Sequence, residues 1–164
     1  MNETIGLIGI GVMGSNIALN FSDNNIPVHV FNRSEDKINL LIDKDSKGNI
    51  TGTTDIQNFV NNLPKPRKIL MLIPSGKPTL DMAKKLIEHL EPNDILIDGG
   101  NAYYLDSNKL GEICSRKEIE FVGMGVSGGE EGARKGPALM IGSSNPINNE
   151  LKNSLSSIAA IFNN

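Results

Sequence analysis

Three glycines at fixed spacing follow a short apolar run near the start of the chain. The run at residues 5–8 suits a buried strand, and residues 15–22 carry apolar side chains at helical spacing. Strand, glycine turn and helix follow the order of a dinucleotide-binding fingerprint, in which the helix start binds the pyrophosphate. A structural turn is the alternative, since such glycines also occur in ordinary loops. The predicted cofactor residues here are Gly9, Ile10, Gly11, Val12, Met13 and Gly14.

The end of the second apolar run discriminates between cofactors. In NAD-binding units an acidic residue about 20 positions after the glycines accepts the ribose hydroxyls, whereas an arginine accommodates the 2′-phosphate of NADP. Asn32 stands 18 positions after Gly14, and Arg33 and Ser34 follow it. An uncharged Asn32 does not repel a phosphate, and Arg33 offers a planar cation to bind it. These three residues predict a preference for NADP, although Ser34 also suits a helix cap.

Two further loops follow apolar runs, where α/β sheets place ligands. The first contains Ile73 and Ser75, which are predicted to contact the cofactor. The second is Gly99-Gly100-Asn101, in which the Asn101 amide can donate to and accept from a cofactor or a hydroxylated substrate. An Asx-type turn between strand and helix is the equally supported alternative for Asn101.

Residues 123–136 contain six glycines in fourteen positions. This density is typical of a loop whose backbone contacts a ligand, and a flexible surface linker is the alternative. Within it, Ser127, Gly128 and Gly129 are candidate substrate-binding residues.

Apolar periodicity places these loops in an alternating β and α order. The predicted class is α/β, a Rossmann-like, doubly wound, mainly parallel sheet with helices on both faces, in one domain over residues 1–164. Strands are predicted at 5–8, 28–31, 50–53, 68–73, 94–98, 120–122 and 138–141. Helices are predicted at 15–22, 35–43, 79–90, 105–117 and 148–162, with one more opened by a capping box at Thr54-Asp55-Ile56-Gln57.

Composition narrows the classes of partner. The formal charge of −3 and the lack of a dense basic run give no reason to expect nucleic acid, and no apolar run is long enough to span a membrane. Cys114 is the only cysteine, so it suits a reducing, cytoplasmic setting and reads as a buried apolar residue. No metal site is expected. The expected partner is a small-molecule substrate.

Taken together, the motifs resemble those of the decarboxylating 6-phosphogluconate dehydrogenases. The resemblance runs through residues 9–14, Asn32-Arg33-Ser34, Asp98-Gly99-Gly100-Asn101, residues 126–134 and Gly136-Pro137. It implies NADP as cofactor and 6-phosphogluconate as substrate, held by Asn101, Ser127, Gly128 and Gly129. It further implies oxidation at C3, loss of CO2 and formation of ribulose 5-phosphate, a step of the pentose phosphate pathway.

The same resemblance implies that the catalytic acid and base are not in this chain. In the family they are a Lys and a Glu of a following all-helical domain, which also holds the homodimer together, and here they are expected beyond Asn164. The chain is therefore expected to be the cofactor-binding domain, with little turnover and a monomeric or weakly dimeric state. A 3-hydroxyacid dehydrogenase and a non-catalytic NADP-binding module are the alternative functions.

Overall fold

A computed structural model describes residues 3–161 as seven strands and seven helices. The strands are β1 (Ile5–Ile8), β2 (Val28–Phe31), β3 (Ile50–Thr53), β4 (Lys68–Met71), β5 (Ile95–Asp98), β6 (Glu120–Ser127) and β7 (Ala138–Ser143). The helices are α1 (Val12–Asp23), α2 (Glu35–Ile42), α3 (Ile56–Asn61), α4 (Lys77–Ile87), α5 (Tyr104–Ser115), α6 (Gly129–Lys135) and α7 (Asn149–Ile158).

The strands form one sheet in the order β3-β2-β1-β4-β5-β6-β7. The first six are parallel, and β7 runs antiparallel to β6 at the edge. The order of β1 to β6 is that of a doubly wound dinucleotide-binding fold, which confirms the predicted fold class. The carboxyl ends of six adjacent strands therefore meet at a single edge of the sheet.

Helices cover both faces because the central strands are apolar on both sides. One core, on the face of α1, α2, α6 and α7, contains Ile17, Phe21 and Leu155. The other, on the face of α3, α4 and α5, contains Phe59 and Leu86. Cys114 lies in this second core and is fully buried, as predicted.

The structure corrects the reading of the glycine-rich segment as a loop. Residues 123–127 continue strand β6, and residues 129–135 form α6. The buried side chains of β6 alternate as Val122, Met124 and Val126, which is the pattern of a strand with one covered face. Only a short turn at Gly128 separates this strand from α6.

The starts of two helices also differ from the predictions. The capping box is wrong, because the N-cap of α3 is Asp55 and not Thr54, and the Asp55 carboxylate accepts from the Asn58 N–H at 2.6 Å. Helix α1 begins at Val12, three residues earlier than predicted, so the last three residues of the glycine fingerprint belong to its first turn.

The carboxyl-terminal helix is shorter than predicted. Helix α7 ends at Ile158, whereas the prediction extended it to Phe162, which lies outside the described residues. Asn164 lies outside them as well, so the expectation of a catalytic Lys and Glu beyond Asn164 stays a prediction. Among residues 3–161, no helix is long and apolar enough to cross a membrane.

Candidate functional site

In the turn between β1 and α1, the surroundings of the three fingerprint glycines differ. Gly9 has φ 92°, and a Cβ there would lie 2.5 Å from the Leu72 carbonyl oxygen. A Cβ on Gly14 would overlap the Gly9 carbonyl oxygen. A Cβ on Gly11 would meet no atom within 4 Å. Packing thus requires glycine at positions 9 and 14, whereas Gly11 faces open space where a ligand can approach the backbone.

Helix α1 begins without a side-chain cap. Its N-cap is Gly11, and its first turn contains no acidic residue. The N–H groups of such a helix end have no intrahelical acceptor, and they carry the positive end of the helix dipole. An anion such as a pyrophosphate satisfies both conditions, so the turn fits the predicted dinucleotide.

Asn32, Arg33 and Ser34 lie where β2 ends and α2 begins. The Asn32 side chain donates to the Ser34 carbonyl oxygen at 3.2 Å, which holds this turn closed. Arg33 is exposed, and among the described residues no carboxylate lies within ion-pair distance of it. Ser34 occupies the N-cap position of α2 but makes no side-chain cap bond. The Arg33 guanidinium and the Ser34 hydroxyl are thus available to a phosphate.

The loop after β4 lies directly against the glycine turn. The Ile73 side chain is the other group that a Cβ on Gly9 would meet, at 2.5 Å from Cγ2. Ser75 is exposed two residues further on. The Thr79 hydroxyl donates to the Pro74 carbonyl oxygen at 3.0 Å and ties this loop to α4. The two predicted residues Ile73 and Ser75 therefore border the same edge as residues 9–14.

Asn101 bonds to a distant strand. Its side-chain Nδ2 donates to the Val126 carbonyl oxygen at 3.3 Å, and its Oδ1 accepts from the Val126 N–H at 3.0 Å. The Asx-type turn is made instead by Asp98, whose Oδ1 accepts from the Gly100 N–H at 2.9 Å. The amide of Asn101 keeps one donor hydrogen and one acceptor lone pair free. It can therefore contact a ligand while it holds Val126.

Ser127, Gly128 and Gly129 follow Val126 and are exposed. Gly128 has φ 127° and Gly129 has φ 61°, in the region that favours glycine, and this turn leads into α6 without a side-chain cap. The three predicted substrate residues thus lie together at the carboxyl end of β6, next to Asn101.

The predicted loops form a continuous row along the carboxyl edge of the sheet. Residues 9–14 contact residue 73, and a Cβ on Gly100 would lie 2.6 Å from the Ile73 carbonyl oxygen. Asn101 then bonds to Val126. Residues 32–34 lie one strand further out, where the Gly9 N–H donates to the Phe31 carbonyl oxygen at 3.4 Å. The structure so brings the predicted cofactor and substrate residues to one edge.

Sequence reasoning missed Asp98 and the groove that it borders. Asp98 is only 2% exposed, and its Oδ2 has no hydrogen-bond partner among the described residues. Burial raises the pKa of this carboxyl above its usual value, and the Gly100 N–H offsets part of that effect. The groove runs along α5, β6 and β7, with Asn101, Tyr104 and Met140 in its walls. The sequence does contain a signal for this turn: an Asp two residues before a glycine is typical of an Asx-type turn.

A family model for the NAD-binding domain of 6-phosphogluconate dehydrogenase matches residues 4–163. The chain belongs to this family. The decarboxylating 6-phosphogluconate dehydrogenase of Chlamydia trachomatis is 51% identical over 142 residues, covering 86% of this chain and 30% of that protein. Enzyme 2 of that name from Saccharomyces cerevisiae is 44% identical over 160 residues, covering 97% of this chain and 32% of that protein.

A solved structure of Plasmodium falciparum 6-phosphogluconate dehydrogenase superposes with a TM-score of 0.90 at 36% identity, over 96% of this chain and 34% of that one. A Mycobacterium tuberculosis 3-hydroxyisobutyrate dehydrogenase superposes with a TM-score of 0.83 at 17% identity, which shows a shared fold alone. The chain spans about a third of the length of the 6-phosphogluconate dehydrogenases that it matches. The predicted family is thereby confirmed.

Proposed function

We propose that this chain is the NADP-binding domain of a decarboxylating 6-phosphogluconate dehydrogenase. One observation carries the proposal: Gly11 faces open space at the uncapped start of α1, where packing explains the other two glycines of the turn but not this one. The relatives of this chain in Chlamydia trachomatis and Saccharomyces cerevisiae are decarboxylating 6-phosphogluconate dehydrogenases by name. The P. falciparum enzyme was solved with NADP+ and with 6-phosphogluconate.

The preference for NADP over NAD rests on Asn32 and Arg33. An acidic residue at position 32 would repel a 2′-phosphate, and the Asn32 amide does not. The exposed Arg33 guanidinium has no carboxylate partner within the described chain, so phosphate binding breaks no ion pair there. Ser34 adds a hydroxyl donor from the N-cap position of α2.

Residues of this chain would hold the two ligands side by side. The N–H groups at the start of α1 bind the pyrophosphate, Ile73 and Ser75 border the cofactor, and Asn101 stands between cofactor and substrate. Ser127, Gly128 and Gly129 bind 6-phosphogluconate. NADP+ held there would accept the hydride from C3 of the substrate. The resulting 3-keto acid can lose CO2, because its carbonyl is β to the carboxylate.

The proton transfers are assigned to residues beyond Asn164. Efficient acid–base catalysis requires groups within hydrogen-bond reach of the reacting atoms. The Asp98 carboxyl is buried beneath the Asn101 turn, so it is badly placed to contact the substrate. The Lys and Glu of the family's helical domain fit the two roles, and the same domain would hold a homodimer. The expected setting is cytoplasmic, with no nucleic acid or membrane partner.

Thermal unfolding of the chain with NADP and with NAD tests the cofactor assignment. NADP at about 100 times its Kd adds about 2.7 kcal/mol to the free energy of unfolding. For a domain of this size, that corresponds to about 5 to 10 °C in Tm. Arg33→Met should remove most of the shift with NADP and leave any shift with NAD unchanged. An equal or larger shift with NAD in the unmodified chain would refute the role of Asn32 and Arg33.

A steady-state assay tests the assignment of the proton transfers. The chain with NADP+ and 6-phosphogluconate should show turnover far below that of the complete relatives. Turnover at the level of those relatives would place the acid and base among these 164 residues.

A further inference from the structure

We propose that Asp98 is a positioning residue that sets the place of the Ser127-Gly128-Gly129 turn through Asn101. The link contains three steps: Asp98 holds Gly100, the turn directs Asn101, and Asn101 holds Val126. Each step is a hydrogen bond or a constrained backbone position.

The first step is the shape of the turn after β5. Asp98 Oδ1 accepts from the Gly100 N–H at 2.9 Å, and a Cβ on Gly100 would lie 3.1 Å from that same oxygen. The same Cβ would lie 2.6 Å from the Ile73 carbonyl oxygen. The buried carboxyl and the neighbouring loop therefore both crowd the Cβ position of Gly100, so only glycine fits this turn. Asn101 leaves this turn with φ 55°, a left-handed conformation that asparagine adopts more readily than most residues other than glycine.

In the second step, the Asn101 side chain makes the hydrogen bonds to Val126 that a longer β5 would otherwise make. Backbone pairing between β5 and β6 ends at Asp98 and Gly123. Val126 lies three residues beyond that pair and is 5% exposed. Its N–H and its carbonyl oxygen are both bonded by the Asn101 amide, at 3.0 Å and 3.3 Å. Without that amide, both backbone groups would be buried without a partner on the β5 side, which is costly.

The position of Val126 affects the position of Ser127, the next residue. Ser127 is bonded to Val126 through the chain, and the turn at Gly128 and Gly129 begins there. Strand β7 pairs with Val126 and Ser127 on the other side, so the Asn101 amide supplies the restraint on the β5 side, and a shift of Val126 on that side would displace the turn. That this turn binds substrate rests on the proposed function, whereas the dependence of its position on Asp98 does not.

Hydrogen exchange of the Val126 amide, followed by NMR on the 164-residue chain, tests the proposal. Asn101→Ala removes the acceptor and defines the exchange rate of an unpaired Val126 N–H. Asp98→Ala should raise the Val126 rate about tenfold relative to Val122 in the same strand, as for the loss of one hydrogen bond. Asp98→Asn retains an acceptor for the Gly100 N–H and should restore the original rate.

A purely structural role for Asp98 gives a different pattern. Asp98→Ala would then raise the Val126 and Val122 rates by the same factor, and that result would overturn the proposal. If Asp98→Ala does not fold, Asp98→Leu fills the buried space without an acceptor: a selective rise of the Val126 rate supports the proposal, and an unchanged Val126 rate overturns it. Failure of NADP to stabilise the chain would refute the proposed function and leave these exchange rates unaffected.

Discussion

At the amino-terminal edge of the sheet, charged side chains are buried and paired, whereas at the carboxyl-terminal edge most helices begin with backbone N–H groups that no side chain caps. Arg67 and Asp94, which are 5% and 1% exposed, meet at 2.7 Å at the amino edge. Asp94 also accepts from the backbone N–H groups of Arg67 and Glu91. Lys68, also buried, pairs with Glu150 at 3.0 Å at the same edge.

The carboxyl edge has the opposite character. Of the helices that begin there within residues 3–161, α1, α2, α4, α5 and α6 make no side-chain cap bond, and α3 alone is capped, by Asp55. Uncapped N–H groups cost little when water or a ligand reaches them. The difference shows that this fold concentrates its polar stabilisation at one edge and leaves the other free to bind.

The largest expected effect is at the amino edge. Asp94→Ala removes the closest carboxylate of the buried Arg67 guanidinium and leaves it a 3.5 Å contact with the half-exposed Glu91. Breaking such a buried pair costs about 3–5 kcal/mol of the free energy of unfolding. Urea denaturation measures this loss. Lys77→Ala is the control, because it removes an exposed pair with Asp81 at the carboxyl edge and should leave the midpoint unchanged. Equal midpoints for the two variants would contradict the division between the edges.

At the carboxyl edge, Gly11→Ala should separate binding from stability. The added Cβ meets no protein atom, so the free energy of unfolding should fall by less than about 1 kcal/mol, the cost of a poorer N-cap. Affinity for NADP should fall by about 10- to 100-fold, as for the loss of a hydrogen bond to a charged group. Isothermal titration calorimetry gives the affinity.

The matched control for Gly11→Ala is Gly111→Ala in α5. Its Cβ would make an ordinary contact with Phe121 at 3.6 Å, and alanine favours a helix. NADP affinity should be unchanged in this variant. Unaltered affinity in Gly11→Ala as well would show that Gly11 does not face the cofactor.

Two N-cap positions at the same edge should respond differently. Asp55→Ala removes the bond to the Asn58 N–H and should cost about 1 kcal/mol of the free energy of unfolding. Ser34→Ala removes no cap bond and should cost less than about 0.5 kcal/mol, while it weakens NADP binding. Thermal denaturation of both variants, with and without NADP, makes the comparison. Equal losses of stability in the two variants would mean that the two caps are equivalent and would contradict this prediction.

The smallest effect concerns pH at the amino edge. His29 is buried, its Nδ1 lies 2.7 Å from the Thr51 hydroxyl, and burial lowers its pKa below 6.5. The unfolded chain therefore binds a proton first, so the free energy of unfolding falls as pH decreases below that value. The loss from this group between pH 7 and pH 6 is less than about 1 kcal/mol. Denaturation at both pH values should show a smaller decrease for His29→Gln than for His89→Gln.

Local pattern was sufficient for most elements but not for β6. Strands β1, β2, β4 and β5 are mostly apolar, and their positions follow from composition and period alone. The alternating part of β6 was not predicted as a strand, because it contains Gly123 and Gly125 and glycine is rare within strands. Both glycines lie on the face that borders the open groove, opposite Val122 and Val126, so no core side chain is missing there.

The candidate site was predictable in its loops but not in its internal links. Each glycine motif follows an apolar run, so its place at the carboxyl edge follows from parallel topology. The bonds between Asn101 and Val126 join residues 25 positions apart, and no local spacing encodes them. From the sequence, Asp98 was predicted only as the end of a strand. Its burial depends on the packing of α5 and β6, which local pattern does not show. Contact of Arg33 or Ser127 with a ligand stays a prediction.

The pairing of Val126 by a side chain has a dynamic consequence. A strand held by a neighbouring backbone is released only when that strand moves, which is a slow, collective event. The Asn101 amide can leave Val126 by rotation about two side-chain bonds, but each departure leaves two buried backbone groups without a partner, so the released state is brief. The β5 side of Val126 can therefore open to an arriving ligand while β7 stays paired with Val126 and Ser127 on the other side.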